Sequence, residues 1–396
     1  MKKLILTAGI LCAWLSSQAQ DSTKIRKLKF EEANLVGSYY TQNGNMAAVT
    51  GGIGSEKLTD IGSSLNLTFS LLDKKLRKNT FFVEGAIEQY TSASSDQIDP
   101  TTLSSASRTD QHIYPSIVWT RKNDQNGQTL GLNASYSTEF DYKSYGFGFQ
   151  WAKATPDNNG EFSAKVNVFL DKWKMILPAE LRPPGYPTGA EEDSKGIPYK
   201  PRNTYNASLG YSRIINPQLQ GMILFDPSYQ EGLLSTPFHR VYFNDNSLRV
   251  EKLPGSRIKF PISLRTNYFA GDNLIFRTLY RYYLDTWGLQ AHTLNLETVW
   301  KINPFFSLTP HYRFNAQNGI RYYAPYQAHD PLGEYYSSDT DLSKFTSHFG
   351  GLGMRVSTPG GILGINSWKS MEIRYGIYHR STALTAHIVS LAIQIK

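Results

Sequence analysis

The feature of this sequence that most restricts its fold is an alternation of apolar and polar residues, which runs for about ten residues, stops, and begins again many times. Residues 65–71, 130–136 and 204–211 show it clearly. Successive side chains of a β-strand point to opposite faces, so a period of two predicts strands with one apolar and one polar face. After the N-terminal stretch there is no apolar run of about 20 residues, so no transmembrane helix is predicted.

Two architectures give such strands: a soluble antiparallel sandwich whose apolar face meets a core, and a membrane barrel whose apolar face meets lipid. Strand length favours the barrel, because sandwich strands average about 5 to 6 residues while a tilted membrane strand needs about 9 to 11. Aromatic residues share the apolar parity and gather towards segment ends, as in Tyr145, Phe147, Phe149 and Trp151. Aromatic girdles at the two lipid interfaces give this pattern.

The segments therefore predict an all-β fold, a single antiparallel transmembrane β-barrel of about sixteen strands (14 to 16), with the even number that bacterial barrels have. The predicted strands cover residues 32–42, 58–72, 79–91, 110–121, 128–138, 142–154, 161–171, 202–214, 219–230, 257–269, 274–284, 289–302, 305–315, 345–357, 368–379 and 385–396.

Loop lengths give independent support for a membrane barrel. Connections after even-numbered strands are all short, whereas every long connection follows an odd-numbered strand. The long connections are 43–57, 91–109, 172–201, 227–256 and 316–344. The fold of a sandwich does not require long and short connections to alternate along the chain. Outer-membrane barrels do show this alternation, because they have short periplasmic turns and long extracellular loops. The expected location is the outer membrane of a Gram-negative bacterium.

The N-terminal residues have the features of an export signal. Lys2 and Lys3 precede an apolar stretch, and Ala19 ends a small-residue cleavage site. We predict a signal peptide over residues 1–19, a short periplasmic segment over 20–31 and the barrel over 32–396. The only cysteine, Cys12, lies in the apolar stretch, so the mature chain is expected to have no disulfide.

Charged residues within the predicted strands largely take the polar parity, as expected if that parity faces the barrel interior. The exceptions, Lys143 and Lys153, lie at strand ends, where a long side chain can reach the lipid headgroups. A charge on the lipid face at mid-membrane costs about 2 to 4 kcal/mol. The predicted lumen-lining residues are Glu84, Glu88, Lys165, Lys259, Arg265, Arg277, Arg281, Glu297, His311, Arg313, Arg355, Glu372 and Arg374. Two interpretations stay open: a pore with a transverse field whose arginine-rich wall favours anionic solutes, and an interior braced by charges that pair across the lumen.

No catalytic or metal-binding residue is predicted, no cofactor is evident, and no enzymatic activity is expected. Six of the eight histidines lie after residue 290, but each is on a different segment. Ser235, His239 and Asp226 suggest a hydrolase triad only weakly, because no nucleophile elbow surrounds the serine. The Gly-rich residues 51–54 indicate a turn. The formal charge of +8 is spread thinly, without a basic block for nucleic acid.

Several segments resemble one family. They are YYTQ at 39–42 with AVTGGIGSEKLTD at 48–60, ASSD at 93–96 with SASR at 105–108, STEFDYKS at 137–144, DKWK at 171–174 and STPFHRVY at 235–242. The family is domain of unknown function 3570, predicted outer-membrane barrels, and the resemblance spans nearly the whole mature chain. It implies no established activity. It does imply a setting in operons with flavin-attaching transferases and small lipoproteins, and so extracytosolic redox or metal-related work.

Three functions follow as expectations. The first is a channel or transport component with a charged, arginine-rich lumen. The second is a non-enzymatic partner of a flavin-linked envelope redox system, in which loops 172–201 and 227–256 hold a lipoprotein or cap the pore. The third is an outer-membrane hydrolase. The expected partners are outer-membrane lipids, the barrel-assembly machinery and a small lipoprotein or envelope redox protein, with no nucleic acid.

Overall fold

A computed structural model describes residues 27–91, 109–187 and 196–396. The predicted signal peptide and the family segments 93–96 and 105–108 lie outside these residues. Within them, nineteen strands form one antiparallel sheet and two form a separate hairpin. No helix of the described residues is long and apolar enough to cross a membrane.

The strands are β1 (Lys29–Asn43), β2 (Leu58–Leu72), β3 (Lys78–Thr91), β4 (Thr109–Ile113), β5 (Ser116–Asn123), β6 (Gln128–Thr138), β7 (Tyr142–Ala154), β8 (Gly160–Lys174), β9 (Tyr199–Asn216), β10 (Leu219–Phe225), β11 (Ser228–Gly232), β12 (Arg240–Tyr242), β13 (Leu248–Val250), β14 (Ser256–Lys259), β15 (Ile262–Ala270), β16 (Leu274–Leu284), β17 (Gln290–Asn303), β18 (Phe306–Gln317), β19 (Phe345–Val356), β20 (Trp368–Arg380) and β21 (Leu384–Ile395). Short 3-10 helices cover Ala48–Thr50, Ala179–Leu181 and Thr340–Leu342.

The large sheet closes on itself. β1 pairs along one side with β2 and along the other with β21, both antiparallel. Each remaining wall strand pairs with its neighbours in sequence, from the β2–β3 ladder round to the β20–β21 ladder. Closure leaves the wall without a free sheet edge, as a barrel in lipid requires.

Three wall strands are interrupted, each at a proline. β4 and β5 are separated at Pro115, β10 and β11 at Pro227, and β14 and β15 at Pro261. Proline lacks the N–H that a strand ladder needs, but its carbonyl still accepts: the N–H groups of Tyr136 and Ala207 donate to Pro115 and Pro227 at 3.0 and 2.9 Å. Each pair therefore counts as one wall strand, and the wall has sixteen strands, which confirms the prediction.

Apolar side chains cover the outside of the wall. Phe147, Leu209 and Ile223 are 51 to 55% exposed, although water-soluble proteins seldom leave so many large apolar side chains uncovered. The intervening positions face the interior. Turns at one end run from two residues at 217–218 to eleven at 357–367, and the long loops all lie at the other end. This is the predicted arrangement of periplasmic turns and extracellular loops.

The two clusters of buried apolar side chains lie in the outer loops rather than in the wall. We number the outer loops that pack together loop 1 (44–57), loop 4 (175–198), loop 5 (233–255), loop 6 (285–289) and loop 7 (318–344). One cluster joins loops 5, 6 and 7, and a second joins loops 5 and 7. The clusters contain Leu234, Leu253, Trp287, Leu289 and Ile320, and Val241, Phe243 and Tyr336. We call the packed parts of these five loops the cap.

Loops from opposite sides of the barrel meet in the cap. Loop 1 joins the first and second wall strands, and loop 5 joins the ninth and tenth, about half a circumference away. The Nη1 group of Arg240 in loop 5 donates to the Val49 carbonyl of loop 1 at 2.7 Å, and its Nε donates to Glu180 of loop 4 at 2.5 Å. Since these contacts join loops from opposite sides of the wall, the cap spans the outer mouth.

Replacing Arg240 with alanine should loosen the cap and leave the wall intact. The guanidinium is fully buried while Glu180 is 22% exposed, so we expect a local loss near the lower end for buried ion pairs, about 3 kcal/mol. Limited proteolysis of the folded barrel should then cut loop 5 about a hundred times faster, while heat-dependent gel migration stays unchanged.

Arg213→Gln is the matched control, because the Arg213–Asp157 pair is 48% and 43% exposed at the periplasmic end. It should not change cleavage of loop 5. Equal cleavage of native protein and Arg240→Ala would show that Arg240 does not hold the cap together.

Candidate functional site in the barrel lumen

Ion pairs that reach across several strands identify the inner face of the wall. Arg374 on β20 places Nη1 3.2 Å from Oε2 of Glu297 on β17, although β18 and β19 lie between them. Neighbouring strands are about 4.8 Å apart, so these two strands are separated by about 14 Å along the wall. Side chains meet over that distance only on the concave face, where they converge.

All thirteen residues predicted to line the lumen occupy strand positions of this inner parity. Seven of the nine on β15 to β20 make polar contacts with other residues of the wall. Arg277 pairs with Glu297 at 2.7 Å, and Arg374 pairs with both Glu297 and Glu372. Among the described residues, the other four arginines form no ion pair; Arg281, Arg313 and Arg355 bond instead to Ser263, Asn295 and Ser370. The fourth, Arg265, lines a recess in the wall near the periplasmic end.

The opposite sector of the wall is acidic. Glu84 on β3 accepts a hydrogen bond from Ser116, and Glu88 accepts one from Tyr114 and lies 3.3 Å from Nδ1 of His112. Between the acidic and basic sectors, the inner positions of β6 to β9 are mostly serine, asparagine, threonine and glycine. The remaining predicted cations, Lys165 and Lys259, stand on β8 and β14.

Glycine lets side chains lie flat against the polar wall of β6 to β9. Gly148 on β7 stands in register between Asn133 on β6 and Asn167 on β8. A Cβ at Gly148 would lie 2.2 and 2.1 Å from the two amide oxygens. The missing side chain therefore makes room for both amides beside the wall and keeps them out of the central space.

A cluster of three acidic side chains at the outer rim was not predicted from the sequence. Asp110 of β4 and Glu139 and Asp141 of the loop between β6 and β7 each bring a carboxylate oxygen within 4.8 Å of the others. Burial and the charges of Glu139 and Asp110 raise the pKa of Asp141 to about 6, against the opposing effect of the hydrogen bond from Trp173 Nε1. Asp110 lies 29 positions before Glu139, so no local motif marks the three carboxylates together.

The hydrolase residues do not come together. Ser235 Oγ accepts from the N–H of Leu253 at 2.8 Å, and Asp226 accepts from Ser208. His239 faces Glu251 instead, with Nδ1 3.7 Å from the carboxylate. Burial lowers the pKa of His239, but the carboxylate of Glu251 outweighs it and the net direction is upward. In the described chain Ser235 and His239 therefore belong to the cap, whereas Asp226 bonds to Ser208 of the wall, and the three do not form a triad.

Three of the late histidines repeat one arrangement on the outer face. Tyrosine hydroxyls lie 2.7, 2.7 and 2.9 Å from histidine Nδ1 atoms in the pairs Tyr280–His292, Tyr312–His348 and Tyr375–His387. Each pair bridges two strands joined at the outer end. Amphipathic rings on the lipid-facing side of a membrane protein are typical of the interface between lipid and water.

The closed antiparallel wall, with apolar side chains on its outside and polar side chains on its inside, defines an outer-membrane β-barrel. The family model described as "Protein of unknown function (DUF3570)" matches residues 86–381, more than half of the chain, so the protein belongs to this family, as the sequence resemblance indicated. A search of curated proteins finds no match.

Several solved structures are similar to the chain at low identity. A mutant of the ferric enterobactin receptor from Pseudomonas aeruginosa is 12% identical with a TM-score of 0.44, covering 89% of this chain and 54% of that one. The siderophore receptor PirA from Acinetobacter baumannii is 12% identical with a TM-score of 0.41, covering 88% and 53%. The outer membrane protein opdK from Pseudomonas aeruginosa is 7% identical with a TM-score of 0.40, covering 93% and 98%. The chain spans about half the length of the two receptors.

Replacing Asp141 with asparagine should stabilise the folded outer rim at high pH but not at low pH. Folding raises the pKa of this carboxyl from 3.8 to about 6, so ionisation weakens the folded rim as the pH rises through that value. At pH 8 the variant should slow amide exchange in β7 and β8 beside the loop by about tenfold. At pH 3.5 the two proteins should exchange alike. Faster exchange in the variant at pH 8 would contradict the sign of this effect.

Proposed function

We propose that this protein is an outer-membrane channel for small anions, whose outer mouth is closed by its own loops at rest. The observation that carries the proposal is the row of arginines beneath the cap. A barrel of sixteen strands is wide enough to enclose water. Arg277 and Arg374 remain 49% and 38% exposed although both are paired, which supports a water-filled interior.

Charge pairing within the wall leaves the arginine-rich sector positive. Glu297 and Glu372 compensate part of the charge of Arg277 and Arg374. The four arginines that form no ion pair with a described residue keep their full charge, and the acidic residues of β3 lie several strands away. A positive sector facing a negative one sets up a transverse field, and the excess of unpaired arginine favours anions.

The cap makes the channel a gated one. Its apolar clusters and the contacts of Arg240 must separate before a solute can pass between the outside and the lumen. The alternative is a non-enzymatic partner of a flavin-linked envelope redox system, in which loops 172–201 and 227–256 hold a lipoprotein or cap the pore. Its lipoprotein-binding form has less support, because the cap buries apolar side chains such as Leu234 and Val241 that a docked partner would otherwise contact. The channel is therefore the function we prefer.

We further propose that the barrel-assembly machinery inserts the protein among the lipids of a Gram-negative outer membrane.

A variant with a shortened loop 5 tests the channel directly. Replacing residues 236–251 with a short Gly-Ser linker removes the β12–β13 hairpin and Arg240 but retains every wall strand. In planar bilayers this variant should give stable conductance steps, whereas the native protein should open only briefly. In a KCl gradient the reversal potential should lie towards the anion value.

Changing Arg281, Arg313 and Arg355 together to glutamine in the shortened variant should remove most of the anion preference, because these side chains carry unpaired charge. Lys165→Gln removes one cation from β8, outside the arginine-rich sector, and is the control, with a much smaller shift expected. A folded shortened variant that is silent, or that prefers cations, would refute the proposed function.

A further inference from the structure

The lumen wall contains a recess of about 280 Å³ within the arginine-rich sector. Its lining includes Asn295, Glu297, His311, Arg313, Phe349 and Arg374. It lies near the middle of β17, β18 and β20 and therefore below the cap.

Two glycines shape the floor of the recess. His311 stands opposite Gly351, where a Cβ would lie 2.7 Å from its Nε2. The ring of Phe349 lies over Gly376, where a Cβ would be 2.6 Å from two ring carbons. Both rings can lie across the neighbouring strand only because these positions lack side chains. The recess is therefore a built feature of the wall.

Arg313 offers an anion site in this recess. Its Nε donates to Asn295 Oδ1 at 2.6 Å, which orients the guanidinium plane. Its Nη groups have no partner among the described residues, and its side chain forms no ion pair there. The guanidinium carbon lies 5.9 Å from the ring centroid of Phe349, so a cation and an apolar ring face the same space. Arginine matches a carboxylate with two parallel hydrogen bonds.

His311 supplies a second unsatisfied group. Its Nδ1 is buried and has no hydrogen-bond partner in the described part of the chain. Its ring centroid lies 5.2 Å from that of Phe349. Buried polar atoms are usually paired, so an unpaired one beside a cationic recess is consistent with a ligand that completes the set.

We propose that this recess binds a small organic monocarboxylate with a planar apolar body. The carboxylate lies against Arg313 and the body against Phe349, in the manner of pockets that combine an apolar surface with a few directed polar groups. This assignment rests on the proposed channel function, because the ligand reaches the recess through the lumen, and it names the class of solute.

Local charge favours a monoanion. Three arginines, Arg277, Arg313 and Arg374, and two glutamates, Glu297 and Glu372, form or adjoin the recess, which leaves one net positive charge. A monocarboxylate neutralises that charge. A phosphate dianion would leave an excess negative charge beside two glutamates, and should bind more weakly.

Calorimetric titration of the purified full-length barrel in detergent tests this site, with benzoate as the probe. Arg313→Gln should weaken benzoate binding at least about tenfold, since it removes a charged bidentate contact. Phe349→Leu should weaken it about threefold to tenfold, because a flat aromatic surface is lost. Lys165→Gln is the matched control and should bind benzoate like the native protein. Benzyl alcohol and inorganic phosphate should both bind at least about tenfold more weakly than benzoate.

The outcomes separate the site from the channel. Equal binding by native protein and Arg313→Gln, both shown to be folded by heat-dependent gel migration, would overturn the site. Phosphate binding as tight as that of benzoate would overturn the carboxylate assignment. If the shortened variant conducts anions but benzoate does not bind, the site is wrong and the channel stands. If benzoate binds in an arginine-dependent way but no variant conducts, the channel is wrong and the recess is a binding site.

Discussion

The whole structure depends on one constraint: backbone N–H and C=O groups in the membrane must pair with each other, because lipid offers them no partner. The β1–β21 ladder meets that requirement by closing the sheet. Once the wall is closed, each strand has one face towards lipid and one towards an enclosed space, and side chains must alternate accordingly. The apolar exterior and the charged interior are both consequences of this closure.

The same constraint determines where a core can form. Because the wall separates lipid from lumen, it has no dry interior of its own, and the largest buried apolar clusters lie in the outer loops. The resulting cap joins opposite sides of the mouth through Arg240. Beneath it, glycines at 148, 351 and 376 let neighbouring side chains lie along the wall, so the lumen retains space beside a positive sector.

The wall was readable from sequence because its signal is local. Predicted strands 128–138, 142–154 and 274–284 match β6, β7 and β16 residue for residue. The proline interruptions were missed, since alternation continues on both sides of Pro115, Pro227 and Pro261. The cap and its contacts were also beyond prediction: Arg240 and Val49 are 191 positions apart, and neither lies in a periodic segment. The carboxylates at the outer rim were not predicted either, because only tertiary structure brings Asp110 close to Glu139 and Asp141.

Thiol labelling along β18 tests the alternation between lipid and water most directly, since the only native cysteine, Cys12, lies in the predicted signal peptide. Single cysteines would be placed at residues 308 to 313 and the protein held in lipid nanodiscs, which leave the uncapped periplasmic mouth open to the solution. Our account predicts that a small water-soluble maleimide labels positions 309, 311 and 313, and that a lipid-soluble maleimide labels 308, 310 and 312. Equal labelling of both sets by the water-soluble reagent, or its failure to label the inner set, would contradict a strand that separates hydrocarbon from an enclosed aqueous lumen.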